Sequence, residues 1–353
     1  MRQLGITMPT RTCALERVPE YARWADEAGF DQIWDYELYR NPFAMLCLSA
    51  TTTENATLAT GLAAAFPRSP FELANAIADV DELSGGRALL GLGAGVGEFL
   101  EAFHSTSLAK MVPRMSDYIE VVRLAWQHLH TGEPVSFAGE HFRIQSPPMN
   151  PWGGRTTARA QIPIYLAAMR PKLMELCGRK ADGWLGYLAT PQFIEERVRP
   201  SIAVGAQAAG RDPSDVRIAT EVICSVSPDR ELAYRRARQH VGFYIAHPVS
   251  DVVCELHGVL DQVNALRAAM MEKGLAAFDD TPDALVELFS ITGTPEEARQ
   301  KLGEWEGAYD DLVLHTPYIP PLEADDSEDA YRNIVETFGP KAGKSVALSG
   351  QTV

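Results

Sequence analysis

Short apolar runs alternate along this chain with stretches whose apolar residues recur at helical spacing. Residues 4–7, 30–34, 56–62 and 87–92 read as strands, and residues 18–28, 42–52 and 70–83 as the helices between them. In the first helix Val18, Tyr21, Ala22, Trp24, Ala25 and Ala28 fall on one face, the 3.6-residue period of an amphipathic helix, and Gly29 ends it. Ser84-Gly-Gly86 stops the helix 70–83 in the same way. The rhythm continues with strands at 162–167, 183–187, 216–226 and 311–315 and helices at 114–129, 171–180, 191–209, 229–245, 295–307 and 327–338. Strand–helix–strand units with short connections give parallel strands covered by helices. Eight strands, with no repeat and no linker, predict an α/β fold of the (β/α)8 TIM-barrel class over an open doubly wound sheet.

Two stretches interrupt the alternation. Residues 134–144 look like a hairpin turning at Ala138-Gly139, followed by a Pro- and Gly-rich irregular loop to residue 161. Residues 247–290 form a largely helical insertion. One barrel domain over residues 1–340, with insertions near 134–161 and 247–290 and a small polar, mobile tail at 341–353, is the expected organisation.

At 353 residues and 46% hydrophobic content the chain can bury a full core. Its 32 basic and 47 acidic residues leave a formal charge of −15, a field that disfavours nucleic acid and anionic membranes as partners. An anionic ligand remains possible at a helix N-terminus. The five cysteines are widely spaced without a C-x-x-C pair, which argues against a disulfide framework or a zinc ribbon and fits a reducing cytoplasm. The first residues lack the apolar core of a signal peptide, and no apolar run is long enough to span a membrane.

In a (β/α)8 barrel the chemistry sits where the strands end. The rim therefore consists of residues 8–11, 35–40, 63–68, 93–99, 168–171, 186–190, 225–229 and 315–318. Gly91, Gly93, Gly95 and Gly97 follow the fourth strand. They miss the dinucleotide pattern, since the sixth position is Val96 and no helix is expected directly behind them, so close backbone approach to a flat ligand is the better reading. Ala168-Met169-Arg170 opens a helix at the end of the fifth strand, where free N–H groups and the Arg170 guanidinium favour an anion. His315 stands at a strand end, and His104 lies beyond the glycine run; both are candidates for proton transfer, with the structural alternative of a satisfied histidine. No histidine pair has metal-ligand spacing, so no metal is expected. Glu37, between two aromatic residues, is a candidate proton donor with a raised pKa or, alternatively, a solvated rim carboxylate.

Several ordered segments resemble one family. Ala28-Gly-Phe-Asp-Gln-Ile-Trp34, Thr60-Gly-Leu-Ala-Ala-Ala-Phe-Pro-Arg-Ser-Pro70 and Asp81-Glu-Leu-Ser-Gly-Gly-Arg-Ala-Leu-Leu-Gly-Leu-Gly-Ala-Gly95 are similar to the bacterial luciferase-like oxidoreductases. So are Thr131-Gly-Glu-Pro-Val-Ser-Phe-Ala-Gly-Glu-His-Phe-Arg143, Pro163-Ile-Tyr-Leu-Ala-Ala168, Ala181-Asp-Gly183 and Gly293-Thr-Pro-Glu-Glu297. The resemblance implies a barrel that binds coenzyme F420 or FMN at its C-terminal mouth, and the segments at 61–70 and 81–87 are more similar to the F420-using branch. It places Glu37 where that branch has a cofactor-contacting aspartate, and Leu38 where many members carry a proton-transferring histidine. It places Gly61-Leu62 at a non-proline cis peptide behind the ring, with Ala63, Ala94 and Gly95 beside it. Ala168, Met169, Arg170, Leu185 and Gly186 fall in regions that hold the cofactor phosphate.

Three functions follow from this resemblance. They are an F420-dependent oxidoreductase passing hydride to or from a small organic substrate, a reduced-FMN monooxygenase activating O2, and an inactive barrel serving as a binding protein. The irregular loop and the insertion, with Trp152, Val249, Val252, Leu256 and Leu260, form the expected substrate pocket, or else cover the barrel or make the face of a homodimer.

Overall fold

The computed structural model describes residues 2–340 apart from 12, 39, 148–152, 156, 158 and 306, so Trp152 and the tail lie outside the described residues. Eight parallel strands close into a barrel: β1 (Gln3–Thr7), β2 (Gln32–Asp35), β3 (Thr57–Thr60), β4 (Ala88–Gly93), β5 (Ile164–Ala167), β6 (Gly183–Tyr187), β7 (Arg217–Val226) and β8 (Asp311–His315). Each pairs with the next in chain order, and β8 returns to β1 through Gln3 opposite Asp311 and Ile6 opposite Leu314. These are the eight strands read from the sequence, with ends shifted by one or two residues.

The helices between them begin and stop where local chemistry dictates. Ser69 caps the helix Pro70–Ser84 by accepting from Glu72 N at 3.1 Å, and Gly85 ends it at φ 69°. Gly29 ends the helix Val18–Ala28 at φ 92°, its N–H reaching back to the carbonyls of Ala25 and Asp26. Asp81 and Arg87 of the Asp-Glu-Leu-Ser-Gly-Gly-Arg segment lash the barrel floor. Arg87 Nη2 donates to Thr53 O at 2.8 Å, and buried Asp81 pairs with Arg159 at 2.5 Å.

Three features depart from the sequence reading. The third strand breaks at Gly61, and its continuation, Ala63–Ala64, pairs separately with Leu92 and Gly93 of β4. The helix expected over 191–209 contains a π turn at Ile194–Val198, because Pro200 in the first turn of Arg199–Ala208 has no N–H to continue the α ladder. A ninth parallel strand, Ser290–Gly293, begins at the last residue of the expected helical insertion, where no strand is predicted; it pairs with residues 223–226, where β7 runs on past the barrel. The hairpin is present as Ser136–Ala138 against Arg143–Gln145. The insertion consists of the helices Asp251–Leu256, Leu260–Lys273 and Asp283–Phe289 joined by 3-10 turns.

Alternation along the strands fills the barrel in layers. At the floor Arg217 pairs with Asp311 at 2.5 Å, and Tyr165 Oη donates to Asp311 at 3.0 Å. Above it Trp34, Ala59, Leu89, Leu185, Ala219 and Val313 pack together, and Gly5 leaves room for the Trp34 indole, whose Nε1 would sit 2.9 Å from a Cβ there. The top layer is Thr7, Tyr36, Gly61-Leu62, Gly93, Ala167, Tyr187, Glu221 and His315. Leu62 and Ala167 are half-buried there, so the mouth is open above a solid plug.

Candidate active site

One wall of the mouth is built of small residues. The Gly61–Leu62 peptide is cis, at the position the resemblance implies. A Cβ on Gly61 would lie 2.2 Å from Glu221 Oε1, and one on Gly93 2.5 Å from Leu62 Cδ2, so both sites require glycine for close approach. Glu37 clamps the segment that follows. Its N–H donates to Leu62 O at 3.1 Å, and its Oε2 accepts from Ala64 N and from Arg68 Nη1, each at 2.7 Å. That carboxylate is committed to holding the loop. Ala63, Ala94 and Ala168 are buried, and Gly95 turns the chain at φ 82°.

The rest of the glycine run divides between packing and turning. A Cβ on Gly91 would lie 1.8 Å from Thr60 O, so that glycine serves the contact between β3 and β4. A helix, Gly97–His104, does start directly behind the run, contrary to the sequence reading, and it places His104 at its last residue, exposed, against the Phe99 ring. The structure does not bring His104 into the group around His315.

Arg170 is the exposed N-cap of the helix Pro171–Lys180. Its carbonyl accepts from Leu173 and Met174, and its guanidinium has no partner among the described residues. Half-buried Met169 lies beside it. Leu185 belongs to the buried layer below the mouth, and the bare face of Gly186 is filled by the Trp184 ring, 2.0 Å from where a Cβ would stand. Both therefore serve packing.

The opposite wall is polar and aromatic. His315 Nδ1 lies 3.1 Å from Glu221 Oε2, with both side chains buried. Glu221 Oε1, His315 Nε2 and the Tyr36 hydroxyl are buried without a partner. Burial pushes the Glu221 pKa up, against the pull of the His315 hydrogen bond. The His315 ring stands 5.4 Å from Tyr36, 5.2 Å from Tyr187 and 5.3 Å from His240. His240 Nδ1 accepts from Tyr318 N at 3.2 Å, which leaves Nε2 to donate to Tyr187 Oη at 3.0 Å, and burial holds this imidazole well below its usual pKa, hence neutral. Leu38 packs on Tyr36, Tyr318 and Ile319.

Sequence reasoning found His315 but missed Glu221. The rim after the seventh strand was placed at 225–229, yet β7 overshoots the barrel, so its mouth-level residue lies mid-strand. The available signal was a lone carboxylate in the run Ile218-Ala-Thr-Glu-Val-Ile-Cys224, where a buried charge needs a partner.

The family described as luciferase-like monooxygenase matches residues 3–312. This chain belongs to that family. The luciferase-like chain is 30% identical over 295 residues to the 5,10-methylenetetrahydromethanopterin reductase of Methanolobus tindarius, covering 82% of this chain and 86% of the relative. It is 31% identical to the enzyme of that name from Archaeoglobus fulgidus, covering 80% and 84%. Among solved structures, the coenzyme F420-dependent tetrahydromethanopterin reductase from Methanopyrus kandleri superposes with a TM-score of 0.76 at 24% identity, covering 96% of this chain and 99% of that one. The oxygenating constituent of 3,6-diketocamphane monooxygenase from Pseudomonas putida, in complex with FMN, superposes at 0.67 and 16% identity, covering 98% and 99%. These two share the fold. The chain is a luciferase-like oxidoreductase. No helix among the described residues is long and apolar enough to cross a membrane.

Proposed function

We propose that this protein is an F420-dependent oxidoreductase acting on a small organic substrate, with His315 as its proton-transfer residue and Glu221 positioning it. The observation that carries the reading is the asymmetry of the mouth. Gly61, Gly93 and Ala167, with Leu62 packed over Gly93, leave a wall of small residues that fits a planar tricyclic ring, and the buried, unpartnered polar atoms of Glu221, His315 and Tyr36 lie in the same layer. When bound, the deazaflavin supplies a two-electron centre that gives or takes hydride.

The chain's own residues supply the rest. The buried plug under Leu62 keeps water from entering below. Glu37, through Ala64 and Arg68, fixes the loop behind the ring, while Gly61, Leu62, Ala63 and Gly95 let the backbone come close. His315 shares a proton with Glu221 at Nδ1, so Nε2 is the atom that holds or releases a proton toward the substrate. It takes the part that Leu38 cannot. Arg170 and the helix behind it favour the cofactor's anionic tail, with Ala168 and Met169 beside it. Cytoplasmic location suits five unpaired cysteines, and exposed Val249, Met271 and Leu275 on the insertion suit a homodimer face.

Titrating the purified protein with F420 and with FMN, followed by fluorescence, tests the reading. Saturable F420 binding tighter than that of FMN is expected. Preferential FMN binding moves the assignment to a reduced-FMN monooxygenase, in keeping with the family's description as a luciferase-like monooxygenase. Binding of neither leaves a barrel that acts as a binding protein.

A further inference from the structure

Beside the polar wall, the loops after β1 and β2 enclose a recess of about 230 Å³ lined by Thr10, Arg11, Tyr36, Leu38 and Arg40. Two of these five side chains are guanidiniums, and neither is paired with a carboxylate among the described residues. Arg11 Nη1 donates to Tyr318 O at 3.1 Å, and Arg40 Nη2 to Cys13 O at 2.7 Å. Arg40 Nη1 is buried without a partner, as is the hydroxyl of Tyr36, a residue only 9% exposed. The neighbouring acid, Asp35, accepts the Thr10 hydroxyl and no guanidinium hydrogen bond, and burial lifts its pKa to about 7 against the pull of the nearby Arg40 charge.

Elsewhere in this acidic chain several buried or half-buried arginines meet carboxylates, while others, such as Arg87 and Arg211, have their donors taken by backbone carbonyls. Arg68 has Glu37, Arg217 has Asp311, and Arg236 has Asp326 and Asp329. A partly desolvated guanidinium with donors to spare is costly unless an anion completes it, and its planar fork matches a carboxylate. Leu38 adds an apolar surface for the carbon skeleton next to that anion.

We propose that this recess binds the carboxylate of an organic-acid substrate, with Arg11, Arg40 and the Tyr36 hydroxyl as donors. Tyr36 belongs to both the recess and the aromatic wall, its ring 5.4 Å from that of His315, so a carboxylate held here keeps the rest of the molecule beside the proton-transfer residue. Gly61 at the end of β3 borders β2, but Arg170, at the end of β5, lies four strands from β1 on the far side of the barrel, which assigns the recess to substrate and leaves the cofactor's own anionic tail to the β5 side. The word "substrate" rests on the oxidoreductase reading; the anion site does not.

Benzoate and its neutral counterpart benzamide are suitable probes, titrated calorimetrically into the full chain without cofactor. Benzoate should bind at least tenfold more tightly than benzamide. Arg11→Gln and Arg40→Gln should each weaken it at least fivefold, Tyr36→Phe about twofold to threefold, and Arg40→Lys less than Arg40→Gln. Equal affinity for the two probes overturns the proposal. So does undiminished benzoate binding in an Arg11→Gln/Arg40→Gln double variant that melts like wild type. If the arginine variants fail to fold, the wild-type preference for benzoate, its weakening by added salt and the Tyr36→Phe loss still decide the matter. Loss of F420 or FMN affinity in the arginine variants with benzoate binding unchanged assigns the recess to the cofactor and also overturns the proposal. Arginine-dependent benzoate binding in a protein that binds neither F420 nor FMN upholds the anion site while the oxidoreductase reading fails.

Discussion

The two walls of the barrel mouth share one layer and one fold but are built from opposite materials. From β3 to β5 the side chains shrink to Gly61, Gly93 and Ala167, and the wall is defined by backbone approach. On β2, β6, β7 and β8 the same layer carries Tyr36, Tyr187, Glu221 and His315, large groups with buried polar atoms left over. A wall of small residues under one apolar side chain, Leu62, selects shape, since it offers no polar group to a ligand. A wall with unpartnered polar atoms selects chemistry, since each such atom is costly until a ligand completes it. On the proposed function, the luciferase-like barrel separates holding a ring from handling a proton, and the two tasks meet where Gly61 touches Glu221.

That contact gives the sharpest way to break the division. Gly61→Val puts a Cβ about where Glu221 Oε1 stands, 2.2 Å away, and thickens the flat wall by a branched side chain. Loss of F420 affinity by more than about 100-fold is expected, read by fluorescence titration of a variant shown by circular dichroism to be folded. Unchanged affinity would place the ring elsewhere.

Damage confined to the polar wall should spare binding and strike turnover. His315→Ala is expected to lower kcat at least tenfold with little change in cofactor affinity, in line with the usual contribution of a positioned acid or base. Glu221→Gln keeps the shape but changes the group that His315 Nδ1 meets, so a smaller loss in kcat and a displaced pH–rate profile should accompany an unmoved KM. A wild-type pH profile in Glu221→Gln would reduce that pair to packing.

The small-residue wall was far more legible in the sequence than the polar one. Alternate glycines at a strand end announce themselves, as Gly93 and Gly95 do, while Gly61 was legible only through the family resemblance, and the alternating pattern located all eight barrel strands. Local pattern cannot report where two distant strands come level. Glu221 looked mid-strand because β7 continues for several residues to pair with Ser290–Gly293, a four-residue strand too short to show a period. Gly186, read as a cofactor contact, is instead bare for the sake of Trp184 two residues earlier, since alternate residues of a strand share a face. His240, Tyr244 and Tyr318 reach the wall from a helix and a loop, where nothing in the chain's periodicity marks them.

The recess beside the polar wall should also leave a trace in stability against pH. Asp35 is fully buried beside Thr10, with Oδ2 unpartnered, and desolvation lifts its pKa from 3.8 to about 7. An unfolded chain loses this proton near pH 4, whereas the folded chain keeps it to near neutrality. Between those values the native state binds more protons than the unfolded state, so stability falls as pH rises from about 4 to 7 and levels off above. The shift corresponds to on the order of 4 kcal/mol at about 1.4 kcal/mol per unit. Glu221, also raised by burial, acts with the same sign. Asp35→Asn removes one titration and keeps the shape, so its melting temperature should decline less than that of wild type between pH 4 and 7, the gap widening toward pH 7. Parallel curves would mean that Asp35 is ionised in the folded protein. The positive recess lined by Arg11 and Arg40 would then hold an anion of its own, and weak benzoate binding in wild type would follow from the same cause.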